Sequence, residues 1–262
     1  MLNKTLTLFL FIIIISCTNK VKENKIKFVH TATILPTKII ETPLPKGFER
    51  VKQDTNSFAY YLQNINLKKD NTVYYFDGTK KTNQNLHYAV LDISVPKKDL
   101  QQCADAVMRL RAEYFFTRKE YDKIEFKSTA TIYNFSKYWM LRSTTNMKNI
   151  FNDFMEIVFA NCGTYNLADM LKPKPNANDL AIGDVFVKAG SPGHAMIVVD
   201  LAVNKTTQEK IFLLAQSFMP AQSIHIVKNL DNKNLSPWYK VDTSNFITTP
   251  GYMFNWNHLK TW

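Results

Sequence analysis

The chain has 262 residues, with 33 lysines and arginines against 22 acidic residues, and a formal net charge of +11. Aromatic residues make up 13% of it and glycine occurs only seven times, which excludes a low-complexity coat protein and fits a globular one. The basic charge favours anionic partners such as lipid headgroups, cell-wall polymers or acidic glycans. The lysines are scattered rather than clustered, so we expect no nucleic-acid partner.

The N-terminus has the pattern of an export signal. Lys4 precedes an apolar run over 6–15, which is shorter than the roughly 20 residues that span a bilayer. The run ends at Ser16-Cys17, which resembles the lipobox of bacterial lipoproteins. We therefore predict a signal peptide over 1–16 and a lipid on Cys17 that anchors the protein to a membrane. The alternative is a cleaved signal with an incidental cysteine.

The next segment predicts a tether. Residues 17–45 comprise Cys17 and a stretch rich in Lys, Asn and Thr with three prolines, which as coil has a root-mean-square span of roughly 30 Å. We find no second linker or internal repeat beyond it, so 46–262 is expected to be a single globular domain. No acidic run follows Cys17, and this favours attachment in the cell envelope, on the outer membrane facing the periplasm.

Apolar periodicity and turn residues predict helices first and strands last. This order indicates an α+β fold that closes with an antiparallel β-meander. Asp99 is the expected N-cap of the second helix, and Asp105, Arg109 and Glu113 form an i, i+4 charge ladder along it. The predicted helices are 57–65, 99–114 and 149–159, and the predicted strands are 72–76, 88–95, 184–188, 194–203, 210–217 and 223–227.

Two residues carry the chemistry that the sequence suggests. Cys103 lies in the first turns of a predicted helix, where the helix dipole lowers a thiol pKa and favours the nucleophilic thiolate. His194 follows Gly193 at the start of a predicted strand, so it can act as the base of a Cys–His pair. Cys103 has two alternatives: an inert core residue or a disulfide with Cys162. The alternative for His194 is a turn residue that hydrogen-bonds to the backbone.

Strand geometry suggests a third member of the site. Asp200 is six residues from His194, or roughly 20 Å along a strand, and cannot orient its ring. Gln216 ends the next strand of the hairpin, returns to the end where His194 lies, and is the preferred orienting residue. His225 is the second choice, and Arg111 is a candidate for binding a carboxylate ligand, although ladder or structural roles stay open for both. The histidine spacings predict no metal site, and no cofactor-binding loop is present.

The order of these features resembles the papain-like cell-wall peptidases of the NlpC/P60 class and their CHAP relatives. The resemblance rests on a cysteine that opens a helix, then Gly183-Asp184 before a strand, then Gly193-His194 before an apolar strand. It implies that Cys103 attacks an amide and that His194 is its base. The residues after the cysteine, Ala104 and Asp105, depart from the serine or glycine usual in that class.

A closer resemblance covers most of residues 47–262. Three strings, 100–114, 190–195 and 213–222, are similar to the bacterial lipoprotein family catalogued as domain of unknown function 4846. The resemblance implies export but no established activity. Cys103 lies inside the family pattern and Cys162 outside it, which argues against an obligatory disulfide between them.

Two functions therefore follow from the sequence. The first is a papain-like cysteine amide hydrolase or transferase that acts on cell-envelope peptides such as peptidoglycan. The second is a non-catalytic lipoprotein that binds a glycan or peptide in a cleft of the same fold. The distance between the Cys103 sulfur and the His194 ring separates them.

Overall fold

The computed structural model describes residues 36–143, 146–242 and 246–262. Cys17 and the predicted signal peptide lie outside the described residues. The globular unit begins earlier than the predicted boundary at residue 46. Ile39 is fully buried, Arg50 donates to the Thr42 carbonyl at 2.5 Å, and Trp238 donates to the Pro43 carbonyl at 2.8 Å. Residues 39–43, which were predicted to be part of the tether, therefore pack against the domain.

Five α-helices occur in the described part of the chain, two more than the sequence predicted. No helix there is both long and apolar enough to cross a bilayer. The helices are α1 (Phe58–Gln63), α2 (Cys103–Thr117), α3 (Phe135–Met140), α4 (Met147–Asn161) and α5 (Thr164–Met170).

The strands are short except for two at the centre of the fold. The predicted strand 72–76 is present only as isolated bridges at Tyr74 and Tyr75. The strands are β1 (Phe48–Arg50), β2 (His87–Val90), β3 (Glu125–Lys127), β4 (Ile132–Asn134), β5 (Lys172–Pro173), β6 (Val185–Lys188), β7 (His194–Asn204), β8 (Lys210–Gln216), β9 (His225–Val227), β10 (Tyr239–Lys240), β11 (Phe246–Thr249), β12 (Tyr252–Asn255) and β13 (Leu259–Thr261).

One large sheet dominates an α+β fold. Its order is β2-β9-β8-β7-β6-β13-β5, with β1 also paired to β7 and β10 to β8. The consecutive strands β6 to β9 are antiparallel and confirm the predicted meander. The sheet extends beyond that meander because β2 joins it next to β9 and β13 joins it next to β6.

The middle of the sheet is covered on both faces. Strand β7 is buried from His194 to Ala202, and β8 from Ile211 to Gln216. Continuous apolar runs of this kind are typical of strands that are buried on both sides. Helices α1 and α2 both pack against β7. The start of α2 is thereby held close to the central strands.

Helix α2 begins four residues later than predicted. Asp99 does not cap it, because its carboxylate accepts the Ala221 N–H at 2.6 Å in a contact 122 residues away in sequence. Gln102 is the N-cap, and its own N–H donates to the Asp105 carboxylate at 3.0 Å. The predicted ladder is therefore broken after Asp105. Cys103 becomes the first residue of the helix.

Candidate active site

Cys103 and His194 each open a secondary-structure element. Cys103 is the first residue of α2, and His194 is the first residue of β7. The backbone of Ala195, which directly follows His194, is near enough to the Cys103 sulfur to help lower the pKa of the thiol. Cys103 and His194 both line the same cavity, whose volume is about 490 Å³. The fold therefore brings together two residues that are 91 positions apart in sequence.

The Cys103 thiol does not have the lowered pKa that its helix position predicted. Burial raises its pKa above the ordinary value, and hydrogen bonds from the Ala195 and Ala104 backbone oppose this only partly. Removing water from the thiolate outweighs the favourable field of the helix terminus. Cys103 and Cys162 are both free and buried, so the disulfide alternative is not present.

A tight turn fixes the entry of His194. Strands β6 and β7 pair up to Lys188 and His194, and the turn between them ends at Gly193. A Cβ atom on Gly193 would lie 2.4 Å from the Gly190 carbonyl oxygen and 2.6 Å from Thr164 Oγ1. Only glycine fits this approach between the turn and the start of α5. The position before His194 is thus constrained by packing.

Three aromatic rings surround the imidazole of His194. The ring centroids of Phe218, Tyr252 and Phe254 lie 4.9, 5.0 and 5.9 Å from that of His194. Burial lowers the pKa of His194 to about 4, against an ordinary value of 6.5, and the hydrogen bond with Gln216 opposes the change. The ring is therefore neutral at neutral pH, the form in which it can accept a proton.

Gln216 binds the His194 ring, as the hairpin geometry suggested. Its Oε1 lies 2.6 Å from His194 Nε2. Asp200, in contrast, is paired with Arg50 at 2.8 Å and accepts from Gln63 at 2.7 Å, so it serves a separate buried ion pair. The structure thus agrees with the argument that excluded Asp200 as the orienting residue.

The other two predicted binding residues lie outside the cavity lining. His225 Nε2 is 3.4 Å from Gln216 Nε2, on the side of Gln216 away from His194. The guanidinium carbon of Arg111 lies 4.6–5.8 Å from the centroids of four aromatic rings, in cation–π contact. A ligand-binding role for either residue stays a prediction.

The cavity is lined mostly by apolar side chains and by the backbone of glycine residues. The sequence did not single out its aromatic members, because Phe218 follows the predicted meander strand and Tyr252 lies far beyond it. Four of the seven glycines of the chain line this one cavity. The lining comprises Gln102, Cys103, Ala104, Asp105, Gly163, Thr164, Gly190, Ser191, Pro192, Gly193, His194, Phe218, Met219, Gly251 and Tyr252.

Asp105 is the one carboxyl group of this lining. Its Oδ2 accepts the Gln102 N–H, while its buried Oδ1 has no hydrogen-bond partner among the described residues. Burial raises the pKa of Asp105 well above the ordinary value. Within the described residues, no group of three histidine, cysteine or acidic side chains is arranged to hold a metal ion.

The comparisons with known proteins give a family and no activity. No curated protein and no solved structure matches the chain. The family model described as Domain of unknown function (4846) matches residues 39–261. This range contains Cys103, His194, Gln216 and every strand of the central sheet. The chain therefore belongs to the family of domain of unknown function 4846.

Proposed function

We propose that this protein is a membrane-anchored lipoprotein whose globular domain is a cysteine amide hydrolase of papain-like, NlpC/P60-type organisation that acts on cell-envelope peptides. One observation carries the proposal. Cys103 at the start of α2 and His194 at the start of β7 line one cavity, and Gln216, which does not line it, is hydrogen-bonded to the His194 ring. A nucleophile, a base and an orienting group are the parts that such a hydrolase requires.

The proposed reaction uses the free ring nitrogen of His194. Because Nε2 faces Gln216, Nδ1 is the atom that takes the proton from the Cys103 thiol as the sulfur attacks the amide carbon. The C–N bond then breaks, and the imidazolium returns the proton to the leaving amine. His194 next deprotonates a water molecule, which hydrolyses the thioester, releases the acid and restores the thiol.

The start of α2 supplies donors for the developing oxyanion. The first backbone hydrogen bond of the helix runs from the Ala106 N–H to the Gln102 carbonyl. The N–H groups of Cys103, Ala104 and Asp105 therefore have no carbonyl partner within the helix. Donors that are fixed before the reaction begins stabilise negative charge at the transition state.

The resting pair is neutral in this proposal. Burial raises the pKa of Cys103 and lowers that of His194, so both shifts favour thiol and imidazole over thiolate and imidazolium. The proton then moves during the attack, and not beforehand. Activity should consequently be retained from neutral pH down to about pH 5 and fall towards pH 4, where half of the His194 rings are protonated.

The first test is direct detection of an acyl-enzyme. Incubation with cell-envelope peptides is expected to add an acyl mass to the Cys103 peptide, because attack on an amide leaves a thioester on the sulfur. Mass spectrometry after acid quenching measures it, and hydroxylamine should remove it. The Cys162 peptide is the internal control. A Cys103 peptide that never gains mass while peptides are cleaved would contradict the mechanism.

The cavity lining also limits what can approach the sulfur. It contains no lysine or arginine, although the whole chain has 33 of them. A charged group brought there would lose water without gaining a counterion, which is costly. The proposal therefore includes an uncharged residue next to the scissile amide.

Two alkylating reagents test this selectivity without a known substrate. Relative to a free thiol such as glutathione, Cys103 should prefer neutral iodoacetamide over anionic iodoacetate by about tenfold, equivalent to about 1.4 kcal/mol. Peptide mapping of both reactions gives the ratio, and the unfolded protein provides a second reference. A preference for iodoacetate would contradict the idea and indicate that a lysine such as Lys81, which packs on Phe218, reaches the sulfur.

The membrane anchor is tested separately at Cys17. The variant Cys17→Ser is expected to move the protein from the membrane to the soluble fraction, because the serine oxygen cannot take the thioether-linked lipid. Fractionation after salt and carbonate washing measures this, with Cys162→Ser as the matched control. A variant that stays with washed membranes would contradict lipid anchoring.

A second candidate function is a non-catalytic protein that binds a glycan or peptide in the same cavity. The observation that favours it is the burial of Cys103, a residue that is only 9% exposed and whose thiol has a raised pKa. In that case ligand binding survives the loss of the sulfur, and no acyl-enzyme forms.

A further inference from the structure

His225 is buried against Gln216, on the opposite side from the proposed base. Gln216 and His225 are paired across β8 and β9, and their side chains are 2% and 1% exposed. Because Gln216 is also hydrogen-bonded to His194, three polar side chains form a continuous line across the adjacent strands β7, β8 and β9. Its order is His194, Gln216, His225.

The end of this line determines the direction of every hydrogen bond in it. His225 Nδ1 lies 2.8 Å from the Ser223 carbonyl oxygen, which can only accept, so Nδ1 carries the proton. A neutral imidazole has one such proton, and His225 Nε2 is then an acceptor. The Gln216 amide nitrogen therefore donates to it at 3.4 Å.

The orientation of the Gln216 amide then sets the proton on His194. With its nitrogen facing His225, Gln216 presents Oε1 to His194 Nε2, which must carry the proton. His194 Nδ1 is left with its lone pair. If the amide were rotated by 180°, its oxygen would face the unprotonated nitrogen of His225, and two acceptors would be opposed.

We propose that His225 is a positioning residue that keeps His194 in the Nε2–H tautomer by fixing the orientation of the Gln216 amide. Only the catalytic use of this tautomer rests on the proposed function, since the tautomer itself exists whether or not the protein turns over a substrate. His87, whose ring centroid is 5.8 Å from that of His225, is hydrogen-bonded to the Asn71 carbonyl.

The wild-type protein gives the first readout. The intact chain, labelled with ¹⁵N in histidine, is examined by long-range ¹H–¹⁵N correlation near pH 7, with signals assigned from His194→Gln and His225→Gln. The expected result is two opposite tautomers, Nε2–H for His194 and Nδ1–H for His225. An Nδ1–H signal from His194, or an Nε2–H signal from His225, would overturn the proposal.

A pair of variants gives the second readout. His225→Leu keeps the volume but loses the acceptor, so the Gln216 amide can rotate and an Nδ1–H fraction should appear at His194. His225→Gln places an oxygen near the position of Nε2 and should restore the wild-type signature. A His194 signal that is unchanged in a folded His225→Leu protein would overturn the proposal. If this variant does not fold, the wild-type tautomers still decide it. Failure to cleave any peptide would count against the proposed function alone.

Discussion

Replacing Cys103 with alanine is expected to abolish peptide cleavage, whereas replacing Cys162 is not. We expect kcat/KM to fall at least about a thousandfold in Cys103→Ala, because alanine cannot form the covalent intermediate. The two cysteines are a matched pair, since both are free and buried. Cys162 does not line the cavity around Cys103. The rate of amine release from envelope peptides measures the effect.

Thermal unfolding of both variants provides the control for this comparison. Each loses one buried sulfur, so their melting temperatures should fall by similar small amounts. Equal loss of activity in both variants would indicate that the core, and not the nucleophile, is responsible. Cleavage that survives in Cys103→Ala would exclude the proposed nucleophile. Unchanged ligand binding together with no cleavage by the wild type would favour the binding function.

Acidification is expected to destabilise the fold through its buried histidines. The pKa values of His194 and His225 are lowered by burial to about 4 and about 3 from an ordinary 6.5. A folded-state pKa below the unfolded value means that the unfolded chain binds the proton more tightly. The contribution is therefore complete above pH 6.5 and is lost as the pH falls towards 4 for His194 and towards 3 for His225. It amounts to about 3 kcal/mol for each ring by pH 4.5, at 1.36 kcal/mol for each pH unit below 6.5.

Urea unfolding at pH 7 and pH 4.5 measures this loss. Between pH 7 and pH 4.5, the free energy of unfolding should decrease less in the double variant His194→Gln/His225→Gln than in the wild type. His258→Gln is the comparison variant, because this ring is only partly buried and should account for less of the pH dependence than the two buried rings. An identical decrease in the wild type and the double variant would show that other groups, such as carboxylates, cause the acid unfolding.

The central sheet could be predicted because its strands are defined locally. Strands β6 to β9 are apolar runs separated by turns, and their predicted bounds agree with the structure to within two residues. Hairpin register alone then placed Gln216 beside His194. Strands β2 and β13 join the same sheet through long-range pairing, for which the sequence pattern gives no sign.

The parts of the site that escaped prediction depend on tertiary contacts. Asp99 looked like a helix cap but is used by the backbone of Ala221, so the helix starts at Cys103 instead. The raised pKa of Cys103 is a burial effect, which outweighed the helix dipole that the sequence argument relied on. The aromatic walls around His194 come from segments that the meander prediction did not include.

The segment from β6 to β9 contains His194, Gln216 and His225, three of the residues discussed as site members. Its strands are joined by short connections and pair with their sequence neighbours, so little chain entropy is lost when they close. Cys103 arrives on a helix that is far away in sequence. We therefore expect the histidine half of the site to order early in folding and the thiol to dock late. An unfolded or half-folded chain would then carry a thiol without its base.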